Sequence, residues 1–399
     1  MDPTSTARVA ERSSPTWLAP DGCRVADLAR CVDERAAWPV PPQAAELAAG
    51  VPVYDCAKLR ERLDEPGRAR TLMSEWHAVL ADGPGVFVLA DAWNDHAVLD
   101  AVTERFFETI ASESGSNRGG DHFAKAGANN RIWNALQKLA HRDPARFARY
   151  YANDMLALAC TAWLGPAYQV TAQVNCVNPG GAAQSPHRDY HLGFCSPAQA
   201  AAFPAAVHRL SPALTLQGAV AHVDMPVESG PTLLLPHSQK YEPGYLVAGR
   251  ADFGDYFSAH CVQPPLRKGD AVFFNPALMH AAGHNRSADI RRIANLLQVS
   301  SAFGRAMEAV DRPAMSVAMY PALLELLQRG ELDAEAANRT VAACAEGYAF
   351  PTNLDLDPPL GGLAPASHQD VMRQALAERW SATRFEDALR ERMARQAAA

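Results

Sequence analysis

The sequence predicts an α+β protein with a mainly β core, flanking helices and helical extensions at both ends. Two observations carry this. Between Tyr168 and Ser300 the chain is cut into short apolar runs, most of them bounded by Gly, Pro, Asn or Asp. Repeated short strands with such turns suggest an antiparallel sandwich or barrel. On either side of that region the apolar residues recur at helical spacing instead. A third observation bears on organisation. Ser-Pro-His187-Arg-Asp189 and the later run Met279-His280-Ala-Ala-Gly-His284-Asn-Arg both fall inside the β region. That placement favours one catalytic domain, set at residues 83–303, between an arm and helical extension at 1–82 and a helical extension at 304–399 that packs on the same domain.

Residues 1–22 are polar and carry Ser, Thr and Pro, which reads as a loose arm. Residues 42–82 read as helical, ending at Ala81-Asp-Gly. Val86-Phe-Val-Leu follows Gly-Pro-Gly and reads as a strand, and Asn94 or Asp95 can cap a helix that runs to Glu113. The glycine-rich stretch 114–130 reads as a loop, of the kind that often serves as a lid. A helical stretch covers 144–164. The β runs are Tyr168–Val177, ended by Asn-Pro-Gly-Gly, then 214–223, 232–235, 271–274, 278–282 and 292–300. Helices resume at Tyr320–Gln328 and Asp333–Ala345. The charged stretch 367–396 reads as a solvated helix face or as support for a dimer.

Bulk composition removes several classes. The chain has 399 residues, 48% hydrophobic and 20% charged, which fits a globular protein with a sizeable core. A net charge of -7 gives no basic footprint for nucleic acid. No apolar run approaches the ~18 residues of a membrane span, and the N-terminus lacks the pattern of a secretory signal. The eight cysteines are scattered without a C-x-x-C pair. Free thiols in a reducing cytoplasm are the simplest reading, and a zinc ribbon or disulfide framework is disfavoured.

His187 and Asp189 are two residues apart, so on a strand both side chains share one face. With His280 from a later strand they supply two imidazoles and one carboxylate. That set can hold one face of a non-haem Fe(II) ion and leave the remaining positions open. Alone, H-x-D is a weak signal. It is followed by Glu228-Ser-Gly230-Pro231-Thr232-Leu-Leu-Leu-Pro236-His-Ser238, then Lys268-Gly269-Asp270-Ala-Val-Phe-Phe274, then the His280 run, then Arg291.

That order of motifs resembles the phytanoyl-CoA dioxygenase family of Fe(II)- and 2-oxoglutarate-dependent oxygenases. The resemblance runs from about Gly83 to Ser300. It implies a double-stranded β-helix (jelly roll, cupin-like), with Fe(II) as cofactor and 2-oxoglutarate and O2 as co-substrates. It makes His187, Asp189 and His280 the iron ligands and Arg291 the anchor of the co-substrate's far carboxylate, through a bidentate fork. Arg292 is the rival. Adjacent strand residues face opposite ways, so only one can point inward, and the family spacing favours Arg291. Asn175 and Gln217 match positions that face the co-substrate. The Ser or Thr usual two residues after the distal histidine is replaced by Ala282, so one customary hydrogen bond is absent.

His284 competes with His280 as ligand, but the Gly and Asn positions align best on His280. His284 then reads as a residue near the cavity mouth. Trp133, Gln184 and Tyr190 are candidates to line the substrate pocket, with packing the plainer reading for Trp133. The implied reaction is oxidation of an unactivated C–H bond of a small molecule, with hydroxylation leading. Asp189 disfavours halogenation, because related halogenases lack that carboxylate. The expected partner is a small-molecule substrate, in a cytoplasmic monomer or homodimer with no nucleic acid and no membrane. A non-catalytic small-molecule-binding β-helix protein and a zinc-dependent hydrolase are the alternatives.

Overall fold

The computed structural model describes residues 15–34, 37–114 and 128–397. The first part of the expected arm and most of the glycine-rich stretch 114–130 lie outside these residues. Helix α1 (Val25–Asp33) precedes a hairpin of β1 (Glu46–Ala48) and β2 (Val51–Asp55). Next come α2 (Cys56–Arg60), α3 (Arg68–Ala81), β3 (Val86–Ala90), α4 (His96–Ser114) and β4 (Asn129–Ile132). Helices α5 (Ala135–Arg142), α6 (Pro144–Tyr151) and α7 (Asp154–Leu164) lead into β5 (Gln169–Val177). The middle of the chain holds α8 (Pro197–Ala201), α9 (Ala205–Leu210), β6 (Thr215–Ala221), β7 (Leu233–Leu234) and α10 (Ala251–His260). Strands β8 (Ala271–Phe274), β9 (His280–Ala281) and β10 (Arg292–Ser300) follow. The chain closes with α11 (Arg312–Gln328), α12 (Ala334–Cys344), α13 (His368–Ala377) and α14 (Ala382–Gln396).

Eight strands form one sheet in the order β1-β2-β3-β8-β6-β10-β5-β4, and β7 pairs with β9 in a second, small sheet. All pairings are antiparallel except β2 with β3. The molecule is therefore a mixed α/β protein built on a large, mainly antiparallel sheet. None of its described helices is long and apolar enough to cross a membrane.

Register decides which residues share a face. On β10, Ala294 lies opposite Asn175 and Ala221, Leu296 opposite Gln173 and Ala219, and Gln298 opposite Thr171 and Gln217. Because side chains alternate along a strand, Arg292, Ala294, Leu296 and Gln298 lie on one face with Asn175, Gln173 and Gln217. The other face carries Ile293, Leu297 and Val299. It packs with Val174, Leu216 and Val220 against a large apolar cluster that includes Trp76, Phe106, Phe147, Met155 and Met319. Val341, Met372 and Phe385 of the C-terminal helices belong to the same cluster.

Three expectations need correction. Residues 42–82 are not helical throughout, because 46–55 forms the β1–β2 hairpin. Ala49 and Gly50 both sit at positive φ (52° and 84°), the requirement of a tight two-residue hairpin turn. Val51 and Tyr54 then bury on opposite faces, and the Tyr54 hydroxyl donates to Glu75 at 2.9 Å. The 144–164 stretch is two helices, because the Asn153 side chain accepts the Leu156 N–H and starts α7 afresh. The 367–396 stretch breaks at Arg379, which has φ 54°, and Ser381 caps the helix that follows. Asp95 does cap α4, accepting the Val98 N–H at 3.0 Å.

Candidate metal centre

His187 and His280 come from distant parts of the chain and are held together by their own backbones. His187 N–H donates to His280 O at 2.9 Å, and His280 N–H donates to His187 O at 3.0 Å. Asp189 is fixed by its N–H on Pro276 O at 3.1 Å. Directly after it the chain turns sharply: Tyr190 and His191 both adopt positive φ, 66° and 46°. Non-glycine residues there cost about 1–3 kcal/mol each and cluster at functional sites.

One donor atom from each of His187, Asp189 and His280 lies within 4.8 Å of the others. Asp189 Oδ1 is 3.7 Å from His187 Nε2, and Oδ2 is 3.6 Å from His280 Nε2. These separations are too long for good hydrogen bonds and suit three groups converging on one ion. The far side of each ring is committed: His187 Nδ1 is 2.8 Å from Ser185 O, and His280 Nδ1 is 2.9 Å from Leu278 O. A carbonyl there requires the proton on Nδ1, which leaves the Nε2 lone pair facing inward, as a metal ligand needs. Gln217 Nε2 donates to Asp189 Oδ2 at 2.5 Å. Burial alone would raise the Asp189 carboxyl, but the His280 and His187 imidazoles and the Gln217 amide hold it below the usual carboxylate range. Burial, with His280 nearby, lowers His187 and keeps it neutral at pH 7. Two imidazoles and an ionised carboxylate are the donor set of a non-haem Fe(II) site.

The three groups open onto a cavity of about 560 Å³. Its floor is the face of the large sheet that carries Asn175, Gln173, Gln217, Leu296 and Gln298. The cavity corrects the choice between the two arginines. Arg292 lines it and is 7% exposed, whereas Arg291 is exposed and lies over the Phe107 ring, 4.5 Å from its centroid. Only one of the pair can face inward, as strand alternation requires, and the one that does is Arg292. Its guanidinium has no ion-pair partner among the described residues, and burial pulls its pKa down to about 10. Asn175 and Gln217 both line the cavity, and Asn175 Oδ1 and Gln217 Oε1 are buried without a hydrogen-bond partner among the described residues. Ala282 lines it as well.

The register separates the two polar ends. Arg292 and Gln298 are six residues apart on β10, about 20 Å at ~3.3 Å per residue. The metal candidates sit toward the Gln298 end, since Gln298 pairs with Gln217 and the His280 ring packs on Phe274, 4.8 Å between centroids. Small residues, Ala294, Ala221 and Ala219, line the stretch between. Toward the Gln298 end Gln173 lies opposite Leu296, with Arg131, Trp133 and Met307 beside it and Phe194 next to Tyr190; Gln184 lines the cavity elsewhere, its N–H on Ala282 O at 3.0 Å. Arg131 donates to Gln173 Oε1 at 2.9 Å and lies 5.0 Å from the Trp133 ring centroid.

Trp133 and Gln184 are thus brought to the cavity, and two other candidates are not. Tyr190 is buried behind the wall, where its hydroxyl donates to Gln298 Oε1. His284 is half-buried outside the lining; its carbonyl crowds Gly230, where a Cβ would come within 2.4 Å. Gln173 and Gln298 were missed. Gln173 stands two residues before Asn175 on one strand, so alternation alone would have found it.

The phytanoyl-CoA dioxygenase (PhyH) family model matches residues 53–293. No curated protein gives a significant sequence match. Among solved structures, the non-heme alpha ketoglutarate dependent epimerase SnoN from nogalamycin biosynthesis is 19% identical. That alignment covers 58% of this chain and 84% of that one, with a TM-score of 0.38. HygX from Streptomyces hygroscopicus, with nickel and 2-oxoglutarate bound, is 16% identical over 59% of this chain and 90% of that one, with a TM-score of 0.40.

Proposed function

Because the chain belongs to the phytanoyl-CoA dioxygenase (PhyH) family, we propose that it is an Fe(II)- and 2-oxoglutarate-dependent oxygenase that oxidises a C–H bond of a small molecule, with hydroxylation as the leading outcome. The reading places a catalytic domain of double-stranded β-helix type at residues 83–303. One observation carries the proposal: a His187-Asp189-His280 cluster and the buried guanidinium of Arg292, which has no ion-pair partner among the described residues, line one cavity.

His187, Asp189 and His280 would hold Fe(II), and Arg292 the far carboxylate of 2-oxoglutarate. Held there, the metal and co-substrate would supply O2-dependent oxidising power, with succinate and CO2 as co-products. The chain's own groups have definite parts in this. The carbonyls of Ser185 and Leu278 keep both rings turned with Nε2 inward. Gln217 orients Asp189. Asn175 Oδ1 and Gln217 Oε1, buried and without a hydrogen-bond partner among the described residues, are acceptors and would take an O–H or N–H from water or substrate. With Ala282 in place of a hydroxyl residue, the Asn175 Nδ2 would be the amide donor to the co-substrate, since Gln217 Nε2 is given to Asp189. Alanines along the floor leave room for an extended co-substrate.

The substrate then occupies the other end, over Gln173 and Gln298 and beside Trp133, Phe194 and Met307. Tyr190 orients Gln298 by holding its Oε1, which leaves the amide N–H for an oxygen of the substrate. An ionised Asp189 disfavours halogenation, because it fills the position a halide would need.

The test is metal analysis followed by assay of O2-dependent conversion of 2-oxoglutarate to succinate by the iron-loaded protein. Iron content with O2-dependent succinate formation is the expected result. Tight zinc binding with oxygen-independent hydrolysis would replace this reading with a zinc hydrolase.

A further inference from the structure

Arg188 stands between two of the proposed ligands and is 5% exposed. Its charged group is answered by neutral carbonyls: Nη2 donates to Ser238 O and Tyr241 O at 2.5 and 2.9 Å. The guanidinium also lies 5.3 Å from the Tyr245 ring centroid, and its Nε has no hydrogen-bond partner among the described residues. Two glycines make room for it. A Cβ on Gly244 would fall 1.9 Å from Arg188 Cζ, and one on Gly193 would fall 2.2 Å from the Arg188 carbonyl oxygen. Burying a cation among neutral acceptors is costly, so filling space is a poor account of this residue.

Ser238 supplies a better one. Its main-chain oxygen takes the Arg188 guanidinium, while its hydroxyl accepts the N–H of Met279, the residue before His280, at 2.8 Å. One residue thus holds both ligand-bearing segments. The segment around it is anchored in turn: His237 N–H donates to Pro84 O at 3.0 Å and Gln239 Nε2 to Gly83 O at 2.8 Å.

We propose that Arg188 and Ser238 are positioning residues, a clamp that fixes the His187–Asp189 segment against the His280 strand and so presets the spacing of the three donors. This rests on the metal-site reading above. Neither residue is a ligand; both act through the ligands' backbones, the kind of support that typically changes metal affinity by about 10–100-fold when removed.

The experiment compares wild type, Arg188→Met, Arg188→Lys, Ser238→Ala and a control, Tyr320→Phe. Tyr320 donates its hydroxyl to Ala375 O and Trp380 O among the C-terminal helices. Anaerobic Fe(II) affinity, the visible band of the Fe(II)–2-oxoglutarate complex and melting temperature are measured for each. Arg188→Met and Ser238→Ala are expected to weaken Fe(II) binding by about 10–100-fold and to shift or broaden the band. Arg188→Lys recovers part of the loss. Tyr320→Phe lowers the melting temperature and leaves affinity and band unchanged. Wild-type affinity in Ser238→Ala and Arg188→Met would overturn the clamp alone, as would an equal loss of affinity in Tyr320→Phe. A folded wild type that binds no Fe(II) would overturn the metal site and the clamp together. Should Arg188→Met fail to fold, Ser238→Ala decides, since it keeps the carbonyl that receives Arg188.

Discussion

Asn295 and Asn175 are both buried in the large sheet and face opposite sides of it. On the helix side, Asn295 Nδ2 donates to the hydroxyls of Tyr150 and Tyr151 at 3.1 and 3.2 Å. His222 is held there by both ring nitrogens, 2.8 Å from Thr103 Oγ1 and 3.0 Å from Tyr150 Oη. That face leaves Asn295 Oδ1 over and is otherwise closed by apolar packing. On the cavity side, Asn175 Oδ1 and Gln217 Oε1 lack partners among the described residues, and the buried Arg292 lines the cavity. Polar groups that answer one another are structural. Polar groups left waiting around a cavity mark where a ligand belongs, because leaving them unmet costs about 1–3 kcal/mol each.

If the two faces differ in this way, variants on them should differ in kind. The largest effect is expected from Asp189→Ala, which should abolish Fe(II) binding and substrate-coupled succinate formation while the protein stays folded; wild-type rates would remove the triad. Next, Arg292→Leu should raise the KM for 2-oxoglutarate by about 100-fold, the equivalent of about 3 kcal/mol for a charge-assisted pair. Arg291→Leu, which loses only a contact with Phe107, should leave that KM unchanged. Steady-state kinetics with varied 2-oxoglutarate distinguishes them, and the reverse ranking would restore Arg291.

The helix side should instead respond to acid. Burial pulls His222 from 6.5 to about 3. Its folded value is depressed, so the unfolded chain takes up the proton first as pH falls. The stability involved is full above 6.5 and is lost progressively toward 3. Between pH 7 and pH 5 this one group should account for a loss of about 2 kcal/mol. Urea unfolding at both pH values should show a shallower loss for His222→Gln; an unchanged slope would contradict the assignment. The smallest effect is expected from Tyr150→Phe, about 1 kcal/mol of stability with no change in the KM for 2-oxoglutarate.

Much of this was legible in the sequence because the signals were local. Strands β5, β6, β8 and β10 stood out as short apolar runs between turn residues, and H-x-D with the later histidine named the three donors that the fold brings together. What was not legible depended on pairing. The spacing motif favoured Arg291, and only the register of β10 against β5 shows that Arg292 lies on the Asn175 face. The β1–β2 hairpin was hidden by alanines that read as helical, with the turn at Ala49-Gly50 as the overlooked cue. Strand β4 is only four residues long, so its alternation is too brief to detect without its partner. Tyr190 and Gln298 meet from segments 108 residues apart, a contact no periodicity reveals.

Anaerobic titration of wild type and Arg292→Leu with Fe(II) and then 2-oxoglutarate, followed by visible absorption, brings the triad and the anchor into one experiment. The account predicts a weak charge-transfer band in wild type, and the same band in Arg292→Leu at about 100-fold higher 2-oxoglutarate. An intact, folded wild type that gives no band would contradict it.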